Sequence, residues 1–221
     1  RSRYAEDYLQ TRVDRGLDQY VILGAGLDSF AWRRRDLEGR LNVFELDHPL
    51  SQNAKKRVLS ERGLPFPKNL TFIPIDFETT SVDEALGRSG CRREKAVLYN
   101  WMGVTMFLTE EAVFKTLRAI ASFASQGSEI VFNYLHQDVF SERTRFKKFA
   151  RHQRTVSGRG ERFLCGFAPD ALERILAGMG FRLVENLSPA DLANRYSREM
   201  ANLSLRPCDY IHLARAEVIP R

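Results

Sequence analysis

Residues 20–29 read YVILGAGLDS: an apolar run, Tyr20 to Leu23, that breaks at once into Gly24-Ala25-Gly26 and then Asp28. A run this short and this apolar suits a strand buried on both faces, and the glycines behind it permit a turn that other residues resist. A strand that ends in glycines and leads into a helix is a common cradle for a nucleotide. The stretch also constrains the remaining chain, because a strand buried on both faces needs parallel neighbours with helices packed over them.

The rest of the sequence supplies those neighbours. LNVFELD (41–47), LTFIPID (70–76), KAVLYNW (95–101) and SEIVFNYL (128–135) read as four more strands. Helical patterns separate them: residues 3–16 before the first strand, then 29–37, 50–62, 81–88 and 109–125. Thr109-Glu110-Glu111 is the clearest helix start, a capping hydroxyl followed by carboxylates in the first turn. Alternating strands and helices predict an α/β fold with a mostly parallel sheet covered on both faces. The pattern then changes. Residues 136–157 read as a polar, basic helical insertion and 158–166 as a loop; a helix starts near Pro169 and ends near Gly178. FRLVENL (181–187) and CDYIHLARA (208–216) make strands six and seven, joined by an irregular link over 188–207. One domain over residues 1–221, with a helical insertion at about 136–166, is the simplest account.

Composition narrows the class. The chain has 221 residues, 43% hydrophobic and 28% charged, with no apolar run long enough to span a membrane. Cys91, Cys165 and Cys208 stand far apart without a CxxC, which predicts inert thiols in a reducing cytoplasm. His48, His136, His152 and His212 form no ligand-spaced pair with them, so no metal is expected. The chain begins at Arg1 inside a helical pattern and without Met, which predicts residues upstream. A net charge of +6 permits nucleic-acid binding without requiring it. The basic residues are densest in RFKKFARHQR (145–154), where Phe146 and Phe149 recur at helical spacing. That stretch reads as the solvated face of an amphipathic helix, with an anion-binding surface as the alternative.

Open α/β sheets bind ligands beyond the carboxyl ends of their strands. Strand one ends in Gly24 and Gly26, strand two in Glu45 and Asp47, strand three in Asp76 beside Phe77. Asp47 follows the glycines by about 20 residues, the spacing of a carboxylate that holds a ribose hydroxyl. Glu45 and Asp47 share one side of the strand, so one of them can be an ordinary ion-pair partner. A dinucleotide site would want a third glycine, yet Ser29 stands there, and Asp28 puts an anion where a pyrophosphate would lie. A nicotinamide-dependent oxidoreductase is therefore the weaker reading. The site suits a nucleoside ligand with a positive centre and no phosphate, as in S-adenosylmethionine.

The stretches RSRYAED (1–7), QYVILGAGLDSFAWR (19–33), VFELDHPLSQNAKKR (43–57), FIPIDF (72–77) and WMGVTMFLTEEAV (101–113) resemble the leucine carboxyl methyltransferase family, and within it the bacterial members tied to secondary metabolism. The resemblance implies a class I methyltransferase fold, a Rossmann-like sheet of seven strands with the last antiparallel. It implies S-adenosyl-L-methionine as methyl donor, no metal, and O-methylation of a carboxylate or hydroxyl on a small molecule such as a polyketide. Carboxyl methylation of a protein or peptide C-terminus is the alternative, and a catalytically lapsed relative a further one. Carried onto this chain, Arg1 matches the arginine that pairs with the cofactor's carboxylate, with Arg3 as fallback. Gly24, Ala25 and Gly26 match the turn under its methionine part. Asp47 matches the ribose acid, with Glu45 and Leu46 before it, and Asp76 with Phe77 the adenine side. Asp28, Asn100 and Trp101 complete the cofactor set. Tyr134 and His136, after strand five, fall where an acceptor would bind; His136 is the candidate base for a hydroxyl acceptor, and Arg154 or Arg206 the candidate clamp for a carboxylate. Two departures stand out: Met102 where the family often has Glu, and Phe107 where it often has Tyr.

Overall fold

The structure is a computed structural model that describes residues 1–158, 160–197 and 208–219. Its elements are α1 (Ser2–Val13), β1 (Gln19–Leu23), α2 (Phe30–Arg33), β2 (Asn42–Asp47), α3 (Pro49–Glu61), β3 (Leu70–Pro74), α4 (Val82–Gly87), β4 (Leu98–Trp101), α5 (Glu110–Phe123), β5 (Glu129–Leu135), α6 (Phe149–Ser157), α7 (Leu172–Ala177), β6 (Phe181–Leu187), α8 (Pro189–Arg195) and β7 (Ile211–Val218). The strands form one seven-stranded sheet in the order β3-β2-β1-β4-β5-β7-β6. The first five are parallel, and β7 runs antiparallel to both β5 and β6. Strand order reverses between β1 and β4, which makes that edge the switch point where such sheets bind ligands.

Side-chain alternation along each strand builds the two faces. Val21, Leu23, Tyr99, Trp101, Phe132 and Tyr134 join one cluster with α5 and α7. Tyr20, Ile22, Val43, Leu98 and Val131 join another with α1 and α2. α5 forms where the sequence signals it. Thr109 Oγ1 accepts the Ala112 N–H at 3.2 Å, Glu110 and Glu111 occupy the first turn, and Val113, Leu117, Ile120 and Phe123 make the buried stripe. Among the described residues no helix is long and apolar enough to cross a membrane.

Three elements differ from their expected form. The helix expected over 136–157 is a short 3₁₀ turn at Gln137–Phe140, an irregular stretch, and then α6. Ser141 and Thr144 explain the gap: their hydroxyls accept the Arg143 and Phe146 N–H groups, so local bonds replace the helical ladder. The helix expected from Pro169 begins at Leu172. The link after β6 opens with α8, whose Ser188 and Asp191 form a reciprocal capping box ahead of Pro189. The rest of that link, 198–207, includes Arg206 and lies outside the described residues. The basic stretch packs Phe146, Phe149 and Val156 into a third cluster with Met106, Leu135 and Tyr210.

Candidate functional site

The turn after β1 is fixed from two sides. Gly24 and Gly26 hold φ of +66° and +49°, the left-handed region that disfavours side chains. The Gly24 and Ala25 N–H groups donate to the Leu46 carbonyl at 2.7 and 3.2 Å, and Gly26 N–H donates to Asp47 Oδ2. A Cβ on Gly24 would overlap Val104 Cγ2, whereas nothing lies within 4 Å of the place a Cβ on Gly26 would take. Gly24 therefore serves a close approach between two loops, and Gly26 leaves an open backbone face.

Val104 reaches Gly24 because β5 positions the loop after β4. Asn133, fully buried, accepts the Gly103 N–H on Oδ1 at 2.6 Å, and its carbonyl accepts from Thr105 Oγ1 at 2.7 Å. The sequence marks neither Asn133 nor Val104, since a polar residue in an apolar strand reads only as an interruption. Met102, on the same loop, packs against the cluster on the α1 face. Phe107 stacks on Phe163 with centroids 5.2 Å apart.

The carboxylates at the strand ends have unequal surroundings. Asp47 is half-buried and accepts from His48 N–H at 2.7 Å as well as from Gly26. Each of its oxygens keeps a further lone pair. Asp28 accepts the Phe30 N–H at 2.6 Å, just ahead of α2. Asp76 is half-buried and accepts the Glu78 N–H at 3.0 Å. Glu45 differs from all three: it is buried against Lys55 of α3, Oε2 to Nζ 2.6 Å. Lys55 in turn lies over the Trp32 ring, 5.3 Å from its centroid. Burial raises the Glu45 pKa to about 7, with Lys55 opposing the rise. Glu45 is thus a structural ion-pair partner, and Asp47 is the acid left at the end of β2.

The remaining expected contacts differ in burial. Trp101 is fully buried and Phe77 nearly so, their rings 6.3 Å apart in the core under α5. The Leu46 side chain is fully buried, so its part in the site is its carbonyl. Asn100 is buried on the α1 face of β4, and its Oδ1 has no hydrogen-bond partner. Arg1 stands at the N-terminal end of α1 without a side-chain capping bond, near Cys208 and His152, and its charge acts on His152. Arg3 is exposed and bonds the Asp7 carboxylate at 2.7 Å.

At the end of β5 the two acceptor-side candidates separate. Tyr134 is fully buried, and its hydroxyl donates to Asn186 Oδ1 at 2.7 Å. Burial pushes its pKa well up. That correction follows from strand parity: Tyr134 faces the α5 core, which removes it from proton transfer. His136 is half-buried at the strand's exit. Its Nδ1 accepts from Asp138 N–H at 3.2 Å, and Nε2 lies 3.3 Å from the Arg145 guanidinium. Burial pulls its pKa down, Asp138 opposing and Arg145 adding. Arg145 is a neighbour the sequence does not single out from the basic stretch. Arg154 is exposed on α6.

A sequence model of the leucine carboxyl methyltransferase family matches residues 1–121, the part that carries the glycine turn, both strand-end acids and the loop over Gly24. The chain belongs to that family. YktD of Bacillus subtilis strain 168, named provisionally as an S-adenosyl-L-methionine-dependent methyltransferase, is 33% identical over 214 residues, 96% of this chain and 70% of YktD. Rv1896c of Mycobacterium tuberculosis strain H37Rv, named in the same way, is 29% identical over 134 residues, 61% of this chain and 44% of its own length. Among solved structures, the mitomycin 7-O-methyltransferase MmcR aligns with a TM-score of 0.57 at 17% identity, over 92% of this chain and 49% of MmcR. NcsB1, an O-methyltransferase from neocarzinostatin biosynthesis solved with S-adenosylmethionine and 2-hydroxy-5-methyl naphthoic acid, aligns at 0.52 with 13% identity, over 92% and 49%. Those likenesses show the fold, which is that of class I S-adenosylmethionine-dependent methyltransferases. The chain spans about half the length of these structures.

Proposed function

We propose that this leucine carboxyl methyltransferase family member transfers a methyl group from S-adenosylmethionine to an oxygen, carboxylate or hydroxyl, of a small molecule. The observation that carries the reading is the staple between the glycine turn and the end of β2: Gly26 bonded to Asp47, beside an open backbone face. The residues fit the cofactor. Asp47 retains acceptor capacity for a ribose hydroxyl, Asp76 for an exocyclic amine, and Asn100 Oδ1 is a buried acceptor that a donor on the cofactor would satisfy. Asp28 and Asp47 give this edge a negative field that suits a cationic ligand. Arg1 is the candidate for the methionine carboxylate. When bound, S-adenosylmethionine supplies a methyl group on a sulfonium, already an activated leaving group.

The chain's own task is then to position and to manage one proton. Holding two reactants in line can account for several kcal/mol of a barrier, roughly 7–11 kcal/mol in favourable cases. A carboxylate acceptor is ionised near neutral pH and needs only a cation, for which Arg145, 3.3 Å from His136, is better placed than Arg154. A hydroxyl acceptor must lose its proton, and His136, whose pKa burial lowers, can take it at Nε2 in the tautomer that carries its proton on Nδ1, with the bond from Asp138 N–H given up.

Calorimetry with S-adenosylhomocysteine is the first test, and no heat at high ligand concentration would overturn the reading. Isotopically labelled S-adenosylmethionine, incubated with native extract and analysed by mass spectrometry, then names the acceptor. Label released as methanol in mild alkali marks an ester; label retained marks an ether. His136→Ala should cut ether formation by about 10²–10⁴-fold and leave ester formation nearly intact.

A further inference from the structure

The basic stretch of the sequence lies apart from the glycine turn in the chain and lines a cavity of its own. Between α6 and the residues leading into β7 lies a space of about 440 Å³, bounded by Lys148, Arg151, His152, Thr155, Cys208, Asp209 and Tyr210. That size falls within the range of small-molecule sites, about 300–1,000 Å³. Its floor is rigid. The Tyr210 ring is buried and packs edge-on against Phe149 and Phe146, centroids 5.3 and 5.8 Å away. The Tyr210 hydroxyl lies 2.7 Å from His152 Nδ1.

Its polar groups are mostly donors. Burial lowers the His152 pKa, and the charge of Arg1 lowers it further, so the imidazole is neutral near pH 7. In the tautomer whose Nδ1 accepts from the Tyr210 hydroxyl, Nε2 carries the proton and donates. Lys148 and Arg151 add two cations against the single carboxylate of Asp209, and Arg1 stands close by. Such a lining discriminates for an anion.

The cavity is also tied to the cofactor edge by a continuous set of contacts. Asn133 holds the loop that meets Gly24, and three residues on, just past the end of β5, the His136 N–H donates to the Tyr210 carbonyl at 2.9 Å. Three residues of extended chain span about 10 Å. A group bound over Tyr210 is therefore an anchor at a distance from the reacting oxygen.

We propose that the cavity between α6 and the entry to β7 binds the carboxylate end of the methyl acceptor, as an anchor separate from the oxygen that is methylated. The proposal rests on the methyltransferase reading and deepens it: α6 and Tyr210 choose an acidic small molecule, while the strand ends hold the cofactor.

The test uses 1-hydroxy-2-naphthoate as the anionic probe and 1-naphthol as its neutral counterpart, titrated by fluorescence with and without saturating S-adenosylhomocysteine. The parent should bind the naphthoate at least tenfold more tightly than the naphthol. Lys148→Glu/Arg151→Glu changes two exposed side chains and should weaken the naphthoate at least tenfold, leaving both the naphthol and S-adenosylhomocysteine within twofold. A parent that does not prefer the naphthoate, or a charge reversal that leaves its affinity unchanged, overturns the proposal. A reversal that weakens S-adenosylhomocysteine instead also overturns it, because the cavity would then hold the cofactor's carboxylate. Failure of the parent to bind S-adenosylhomocysteine while the naphthoate preference persists strikes the methyltransferase reading and leaves the anion site standing.

Discussion

Two regions of this molecule gather carboxylates against donors, and they do opposite things with them. At the sheet's switch edge, Asp47 and Asp76 are half-buried and their partners are backbone N–H groups, one or two each. Across β5, β6 and β7, Glu129 accepts from Tyr8, Arg12 and Arg215, and Glu185 from Tyr4, Arg195 and Arg215. The second set has its lone pairs filled by side chains and clamps α1 to the sheet. Acceptor capacity left over, not the presence of acid, separates a binding edge from a structural network.

The largest break in that comparison is Arg215→Met. It leaves Glu129 and Glu185 short of a shared cation in a mostly buried setting, and should cost about 3–5 kcal/mol of stability. Urea unfolding measures it; a loss under 1 kcal/mol would mean the network is ornamental. Affinity for S-adenosylhomocysteine, measured where the variant is folded, should change little.

Gly24→Ala attacks the other region. The left-handed backbone and the overlap with Val104 together should cost about 2–4 kcal/mol and abolish measurable S-adenosylhomocysteine binding. Adding Val104→Ala removes the overlap but not the strained backbone, so stability should return only in part. Full recovery would show that space alone selects glycine there.

Asp47→Ala should weaken S-adenosylhomocysteine by roughly 1.5–3 kcal/mol, the worth of a hydrogen bond to a charged group. Equal affinity by calorimetry would remove Asp47 from the ribose. Glu45→Gln is the matched control one turn of the pleat away. It disturbs the buried pair with Lys55 and should leave ligand affinity within about threefold.

The smallest effect concerns acid. His212, buried beside Tyr134 and His136, has its pKa lowered to about 4, chiefly by burial and then by His136 and Arg145. Its folded pKa lies below its unfolded value, so the unfolded chain takes up the proton first and stability falls as pH drops below about 6.5. Between pH 8 and pH 5.5 this amounts to about 1 kcal/mol. His212→Gln should flatten that part of the urea-midpoint profile; an unchanged slope would place the acid sensitivity elsewhere.

Much of this was legible before any coordinates. Short apolar runs separated by helical patterns specify strand order poorly but layer order well, and five parallel strands covered on both faces followed directly. The glycine turn, Asp47 and Asp76 were legible because a ligand edge needs particular residue types at particular strand ends. Failure came where a residue's role depends on what packs over it and how near the strand's end it sits. Glu45 and Asp47 share a side, and only α3, with Lys55 set against β2, distinguishes them. Tyr134 and His136 look alike as polar residues after a strand, yet one lies in the core and the other at its exit. The insertion lost part of its helix to Ser141 and Thr144, whose local bonds compete with a pattern that periodicity alone favours.

The sequence by itself determined the α/β layering, the glycine turn and the acids beside it, because those depend on backbone conformation and spacing along the chain. Only the tertiary structure decided which acids keep acceptor capacity, which tyrosines are sealed, and that a solvated basic helix closes over Tyr210 to form a cationic cavity. Saturation and burial are properties of what surrounds a group, and residues more than a hundred positions apart, such as Arg12 and Glu129, supply those surroundings.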